Sequence, residues 1–155
     1  MEYHHQLSLL PGVEPWYVLS MDAPYPDLLL RGLKIIETRP KGVTSKLPIR
    51  LFIHVTQRKM CPAYKALADK YLGSDYKPQH GHIIGVGVLT KILTMDEALM
   101  AKQPQREIDL GRWSIGRKAW YLESKERLSI PVPATGCQAA PWSVDDSPLY
   151  PGLRQ

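Results

Sequence analysis

The chain has 155 residues, the length of one domain, and its 44% hydrophobic and 23% charged residues exclude extensive disorder. Lysine and arginine outnumber aspartate and glutamate by 20 to 15, which gives a net charge of +5. The two cysteines exclude a small scaffold held together by disulfides.

The apolar segments are too short to indicate a membrane protein. The longest nearly apolar run, 83–93, is interrupted by Gly85, Gly87 and Lys91, and a membrane helix needs roughly 20 apolar residues. The first residues lack the basic stretch and apolar core of a secretory signal. We therefore expect a cytoplasmic protein without a membrane partner.

The first half of the chain predicts alternating strands and helices. Residues 1–15 show no periodicity and predict a flexible arm. Strands are predicted at 16–20, 33–39 and 49–56, and helices at 22–31 and 62–72. Asp22 can cap the first helix, and Gly32 and Gly73 follow the two helices as terminating glycines.

The second half predicts more strands than helices. Strands are predicted at 82–93, 118–123 and 128–132, a helix at 94–102, a polar loop at 104–116 and a surface segment at 133–155. The glycines of the 82–93 strand indicate a bulge or a close backbone approach. We predict an α+β fold, a curled sheet or partly open β-barrel of about five to six strands with two to three helices.

The basic excess is concentrated in one part of the chain. Residues 31–59 contain eight basic residues and one acidic residue, Glu37, a net charge of +7. The basic residues are Arg31, Lys34, Arg39, Lys41, Lys46, Arg50, Arg58 and Lys59. Such a field favours a polyanion such as nucleic acid. The alternative is a solvated basic hairpin that keeps the protein in solution.

One segment carries a recognisable motif. Residues 32–39 read Gly-Leu-Lys-Ile-Ile-Glu-Thr-Arg, and they follow a strand that ends at Ser20 and a Pro24-Tyr25 pair that precedes an apolar helix. This order resembles the first motif of the ASCH domain family, relatives of the PUA fold. The motif ends in Gly-x-Lys-x-x-Glu-x-Arg, which is complete here.

Three later segments resemble the same family in the same order. They are the apolar strand with His54 at 51–55, the glycine-punctuated strand at 81–88, and the closing strands at 119–123 and 131–136. The resemblance spans about Tyr17 to Val144. It implies a PUA-like ASCH domain at 16–144, between the arm at 1–15 and a Pro-rich tail at 145–155. It also implies a cleft where the first helix meets the Gly-x-Lys-x-x-Glu-x-Arg strand.

The resemblance implies RNA binding, because family members are associated mainly with that function. Some relatives hydrolyse the acetyl amide of a modified cytidine, N4-acetylcytidine, and others are described as ribonucleases. The deacetylating relatives have a threonine nucleophile where this chain has Glu37, and a carboxylate does not replace an activated hydroxyl in acyl transfer. Their catalytic glutamate lies in or after the helix that follows the glycine strand, where Glu107 is the nearest candidate. If the chain is an enzyme, its candidate catalytic residues are Lys34, Glu37 and Glu107.

The residue types of the motif suit a nucleotide. Lysine and arginine hold phosphate, a carboxylate accepts from a base amino group, and an aromatic ring stacks on a base. The candidate ligand-binding residues are Pro24, Tyr25, Lys34, Glu37, Arg39, His54 and Trp113, the last lying between Arg112 and Arg117. The candidate phosphate surface is Arg31, Lys41, Lys46, Arg58 and Lys59. The alternative is purely structural, with a salt bridge of Glu37 to Arg39 and Tyr25 in the core.

Three functions stay open at this point. The first is binding of RNA, another single-stranded nucleic acid or a nucleoside, the second is hydrolysis on the same cleft, and the third is protein interaction through the Pro-rich tail. No phosphate-binding loop, dinucleotide motif or nucleophile elbow occurs. The spacing of Cys61, His80, His82 and Cys137 matches no structural zinc pattern, so no metal and no cofactor is predicted.

Overall fold

The computed structural model describes residues 16–44, 46–135 and 142–143. The predicted arm at 1–15, the predicted tail at 145–155 and Cys137 lie outside the described residues. The strands are β1 (Trp16–Met21), β2 (Ile36–Arg39), β3 (Ile49–Val55), β4 (His82–Thr94), β5 (Lys118–Pro133) and β6 (Trp142–Ser143). The helices are α1 (Tyr25–Leu30), α2 (Pro62–Leu72), α3 (Glu97–Ala101) and α4 (Gln105–Asp109).

The strands form one mixed sheet in the order β2-β5-β4-β3-β1-β6. β1 runs parallel to β3, and the other neighbouring pairs are antiparallel. The strand order begins at β2 and ends at β6, so the sheet has two edges and is not a closed barrel. The predicted α+β fold with a curled sheet is confirmed.

The core lies where β3 is enclosed by its neighbours. All seven residues of β3 are buried, because β4 and β1 cover its two edges and side chains of α1 and β5 pack nearby. The largest cluster of buried side chains consists of Leu19, Met21, Leu29, Ile49, Leu51, Ile53, Leu89, Trp120 and Leu122. The close approach predicted for the glycine strand occurs at Gly85, where a Cβ would lie 2.6 Å from a methyl of Leu30 in α1.

Several predicted boundaries are wrong. The region 104–116, predicted as a loop, contains α4, a short helix that begins after Pro104 and has no apolar repeat to reveal it. The described residues therefore hold four helices rather than two to three. The first helix begins at Tyr25 rather than Asp22. None of the described helices has the length and apolar composition that crossing a bilayer requires.

Two predictions for the strands also need correction. The strand predicted at 33–39 begins only at Ile36, because a carboxyl group binds the amides of Ile35 and Ile36. The two strands predicted at 118–123 and 128–132 form one strand, β5, which pairs with β4 through three register shifts. Ser124, with φ of 50°, lies in the left-handed region within β5.

Candidate functional site

A cavity of about 190 Å³ lies between the end of β1, the start of α1, β2 and the segment between α4 and β5. We call it the motif cavity. It is lined by Met21, Asp22, Tyr25, Lys34, Glu37, Thr38, Arg39, Tyr64, Leu110, Gly111, Arg112 and Arg117. The lysine, glutamate and arginine of the Gly-x-Lys-x-x-Glu-x-Arg segment therefore face one cavity together with Tyr25.

Lys34 is a buried amine at this cavity. Its side chain is 1% exposed, and Nζ donates to the carbonyl oxygen of Ile36. The amine lies 5.9 Å from the centroid of the Tyr25 ring. Burial lowers the pKa of Lys34, and the negative charges of Glu37 and Glu107 oppose that effect only in part. Lys34 can therefore donate to an anion or, once deprotonated, accept a proton.

Glu37 presents a buried oxygen without a partner. The residue is 9% exposed, and its Oε2 has no hydrogen-bond partner among the described residues. Leaving such an atom unpaired costs about 1–3 kcal/mol, so unpaired buried oxygens are uncommon in folded proteins. This oxygen is an acceptor that a ligand carrying an N–H or O–H group can satisfy.

Three arginines complete the charged wall. The Arg39 guanidinium lies 5.4 Å from the centroid of the Trp120 ring. Arg117 donates from Nε to the carbonyl oxygen of Arg112 at 2.8 Å and from Nη2 to that of Thr38 at 3.4 Å. Desolvation and then the neighbouring Arg112 lower the pKa of Arg117. With Lys34 these arginines outnumber the two acidic groups of the cavity, so the cavity is electropositive.

Two tyrosines form an aromatic wall. The rings of Tyr25 and Tyr64 meet edge to face, with centroids 5.1 Å apart and an angle of 84° between their planes. Burial, followed by the nearby Tyr64, raises the pKa of Tyr25, so the Tyr25 hydroxyl keeps its proton. Tyr64 was not predicted as a site residue, because nothing in the sequence of α2 shows which helix face meets the motif.

Glu107 lies behind the cavity rather than in its lining. It is 2% exposed, and its carboxyl accepts from the backbone amides of Ile35 at 2.6 Å and Ile36 at 3.3 Å. Its carbonyl oxygen accepts from Nε1 of Trp113 at 2.8 Å. Glu107 therefore fixes the short segment between Lys34 and Glu37, and both of its carboxyl oxygens are occupied by backbone groups.

His54 also lies outside the cavity lining. Its Nδ1 lies 2.9 Å from the hydroxyl of Ser20, and its Nε2 lies 2.8 Å from the carbonyl oxygen of Ala134. Because a carbonyl only accepts, Nε2 carries the proton and Nδ1 accepts from Ser20. Burial lowers the pKa of His54. Pro24 and Trp113 are likewise absent from the lining, whereas Arg112 and Arg117 on either side of Trp113 belong to it.

The five residues of the predicted phosphate surface do not lie together in the structure. Arg58 is not in the lining of the motif cavity, but it lies 3.4 Å from the carboxyl of Asp22, which is in the lining. Arg31 faces a different cavity on the other side of α1. Lys41, Lys46 and Lys59 are exposed and line neither cavity. Within the described part of the chain, no group of three or more potential metal ligands comes together.

Two solved structures are similar to this chain. The crystal structure of ASCH from Zymomonas mobilis is 17% identical, with a TM-score of 0.50, and the match covers 76% of this chain and 73% of that chain. A tyrosine-to-phenylalanine mutant of the same protein is 17% identical, with a TM-score of 0.51, and the match covers 77% of this chain and 76% of that chain. No protein-family model and no curated protein matches the chain. The similarity establishes the fold, which is that of the ASCH domain, as the sequence resemblance implied.

Proposed function

We propose that this chain, which has the fold of the ASCH domain, binds one nucleotide of RNA or of another single-stranded nucleic acid in the motif cavity. One observation carries the proposal. Four cationic side chains, two tyrosines and the unpaired buried oxygen of Glu37 face the same small space. Each of these groups matches a different part of a nucleotide.

The cations suit the phosphate and the carboxyl suits the base. Arg39, Arg112 and Arg117 offer planar guanidinium groups, which bind phosphate through paired N–H donors. The Glu37 oxygen accepts from an amino or imino group of a base edge. Tyr25 and Tyr64 offer ring faces and edges for base contact.

The size of the cavity limits the ligand. Pockets for drug-sized molecules are roughly 300–1,000 Å³, whereas the motif cavity measures about 190 Å³. A cavity of this size suits one base and its phosphate rather than a larger cofactor. The remaining nucleotides of a strand would then lie outside it.

Binding of a labelled single-stranded oligonucleotide, followed by fluorescence anisotropy at several salt concentrations, tests the proposal. We expect Arg112→Ala to weaken binding about tenfold and to lower the salt slope by roughly 0.7, the value for one phosphate contact on a single strand. Glu37→Gln keeps the shape but adds a donor, so it should weaken binding and change the preference among bases. The control is Lys102→Ala, since Lys102 is exposed and lines neither cavity.

The site assignment fails if Arg39→Ala and Arg112→Ala both bind as tightly as the unmodified protein. It also fails if Lys102→Ala weakens binding as much as they do, because the effect would then be one of net charge. Circular dichroism of each variant separates lost binding from lost folding.

Hydrolysis on the same cavity is a second candidate, and the burial of Lys34 favours it. A lysine with a lowered pKa can act as a general base near neutral pH. In such a reaction the Lys34 amine takes a proton from water and the resulting hydroxide adds to the acyl carbon. The Lys34 ammonium then gives that proton to the nucleoside nitrogen as the C–N bond breaks, which releases the nucleoside amine and the carboxylic acid. The neighbouring carboxyl of Glu37 could orient the water.

Mass spectrometry of an acetylated cytidine and of a labelled RNA, each incubated with the protein, tests this second function. A hydrolase should release acetate or shorten the RNA, and the rate should rise with pH until Lys34 is deprotonated. Lys34→Arg should abolish the turnover, because arginine stays protonated. Unchanged ligand masses at high protein concentration would leave binding alone as the proposed function.

A further inference from the structure

A second cavity, of about 450 Å³, lies on the other side of α1 and shares no lining residue with the motif cavity. We call it the Asp27 cavity. The residues that matter for its chemistry are Asp27, Arg31, Asp75, Tyr76, Lys77 and Arg127. Three of them are cations: Arg31 directly follows α1, Lys77 lies in the loop after α2, and Arg127 lies in β5.

Asp27 organises one side of this cavity. It is 5% exposed, and its two oxygens accept from the Arg127 guanidinium and from the Tyr76 hydroxyl. Desolvation, followed by the bond to Asp27, raises the pKa of Tyr76, so Tyr76 stays a donor. Because Asp27 is fully paired, its role is to hold Arg127 and Tyr76 in place, and its charge is compensated within the protein.

Two further cations have no acidic partner. The Arg31 guanidinium lies 6.0 Å from the centroid of the Tyr76 ring, and neither Arg31 nor Lys77 makes an ion pair within the described residues. The Arg127 side chain is 45% exposed, so its guanidinium also reaches solvent. The lining also contains the carboxyl of Asp75, which makes no ion pair within the described residues. The outward-facing charge of the cavity is therefore positive.

We propose that the Asp27 cavity is a second binding site, which takes a phosphate group between Arg31, Lys77 and Arg127. Two guanidinium groups and one ammonium group are the donors that proteins use for this anion. Asp27 holds the Arg127 guanidinium in place before the phosphate binds, so less side-chain entropy is lost on binding. The proposal does not depend on what the motif cavity binds.

The phosphate has two possible sources with the same chemistry. One is a flanking phosphate of a strand whose nucleotide occupies the motif cavity, which rests on the proposed function. Tyr25 and Arg31, one at each cavity, are six residues apart, or roughly 9 Å along a helix. The other source is a separate small phosphate compound that binds the Asp27 cavity alone.

Nuclear magnetic resonance of the full chain, with the arginine Nε–H signals observed during titration with inorganic phosphate, tests the site. We expect saturable shifts of the Arg31 and Arg127 signals. Arg31→Ala and Lys77→Ala should each weaken phosphate binding about fivefold, and Asp75→Asn should strengthen it about twofold. The control Lys102→Ala should leave the affinity unchanged.

Variants in the two cavities distinguish a failure of the Asp27 site from a failure of the proposed function. Arg112→Ala, in the motif cavity, should leave the phosphate titration of Arg31 unchanged even where it abolishes oligonucleotide binding. If the phosphate belongs to a strand, Arg31→Ala will weaken binding of a six-nucleotide strand but not of a mononucleotide. If the phosphate belongs to a separate compound, Arg31→Ala will weaken the binding of inorganic phosphate but not that of the six-nucleotide strand.

Three results would overturn the second site. They are the absence of saturable shifts at Arg31 and Arg127, an unchanged affinity in both Arg31→Ala and Lys77→Ala, and weaker rather than stronger binding in Asp75→Asn. Because Arg31, Lys77 and Asp75 are exposed and make no hydrogen bond through their side chains among the described residues, these variants should fold.

Discussion

Two buried polar residues outside the lining of the motif cavity, His54 and Glu107, are more completely paired than two that face it, Lys34 and Glu37. His54 uses both ring nitrogens, and the carboxyl of Glu107 accepts from two backbone amides. By contrast, the Lys34 amine has one carbonyl partner for its three donors, and Oε2 of Glu37 has none among the described residues.

The difference separates structural from functional polar groups. Hydrogen bonds within the protein offset the desolvation of His54 and Glu107, so these residues can be buried without a ligand. Lys34 and Glu37 are buried at a greater net cost, and a ligand can supply what they lack. We therefore expect substitutions of His54 or Glu107 to lower stability. Substitutions of Lys34 or Glu37 should affect binding more than folding.

Among the proposed substitutions, Glu107→Ala should have the largest effect on stability. Removing the carboxyl leaves the part-buried amide of Ile35 and the buried amide of Ile36 without an acceptor, so we expect the free energy of unfolding to fall by about 3 kcal/mol. Urea denaturation measures the change. Glu107→Gln, which keeps one acceptor, should lose less, and Glu126→Ala, at an exposed position, should change little. A loss below about 1 kcal/mol in Glu107→Ala would show that Glu107 does not fix this segment.

The second prediction concerns pH. Because the pKa of His54 is lowered from 6.5 in the folded state, the unfolded state binds more protons near that pH. Stability should therefore be fully present above about pH 6.5 and fall as the pH drops below it, with a slope of at most about 1.4 kcal/mol per pH unit. Urea denaturation between pH 5 and pH 8 should show a smaller slope for His54→Gln. Equal slopes would mean that the pKa of His54 is the same in the folded and unfolded states.

The third prediction is a gain in stability, whereas the first is a loss. Burial lowers the pKa of Lys34, so the charged amine destabilises the fold at neutral pH. Lys34→Met, of similar length, should raise the free energy of unfolding by about 1 kcal/mol at pH 7 while abolishing oligonucleotide binding. The gain should shrink as the pH rises towards 10.5, the ordinary pKa of lysine. The matched control is Lys102→Met, and a loss of stability in Lys34→Met would place Lys34 among the structural groups.

Arg58→Ala should have the smallest effect. Its side chain is 70% exposed and its ion pair with Asp22 measures 3.4 Å, so we expect stability to change by less than about 0.5 kcal/mol. Because Arg58 pairs with Asp22, which lines the motif cavity, oligonucleotide binding should weaken slightly at low salt and not at high salt. Binding that weakens equally at both salt concentrations would place Arg58 in direct contact with the ligand.

Local sequence determined the part of the site that lies within one short stretch. Tyr25, Lys34, Glu37 and Arg39 reach the motif cavity through a helix, a turn and a strand that follow each other directly. The resemblance of this stretch to the first ASCH motif implied that they share a cleft. The close approach at Gly85 also followed from local sequence, since a glycine within a strand indicates a bulge or a close backbone approach.

Only the tertiary structure decided the rest. Glu107 binds the amide of Ile35, 72 positions earlier in the chain, and Tyr64 reaches the cavity from a helix whose own pattern does not indicate it. In the segment after α4, Arg112 and Arg117 line the cavity, whereas the predicted contact, Trp113, does not. Arg31, one residue beyond α1, faces the opposite cavity from Tyr25, because the packing of a short helix decides which face meets which neighbour. Composition and spacing specify the chemistry that a chain carries, but long-range strand pairing and helix orientation decide which of those groups meet.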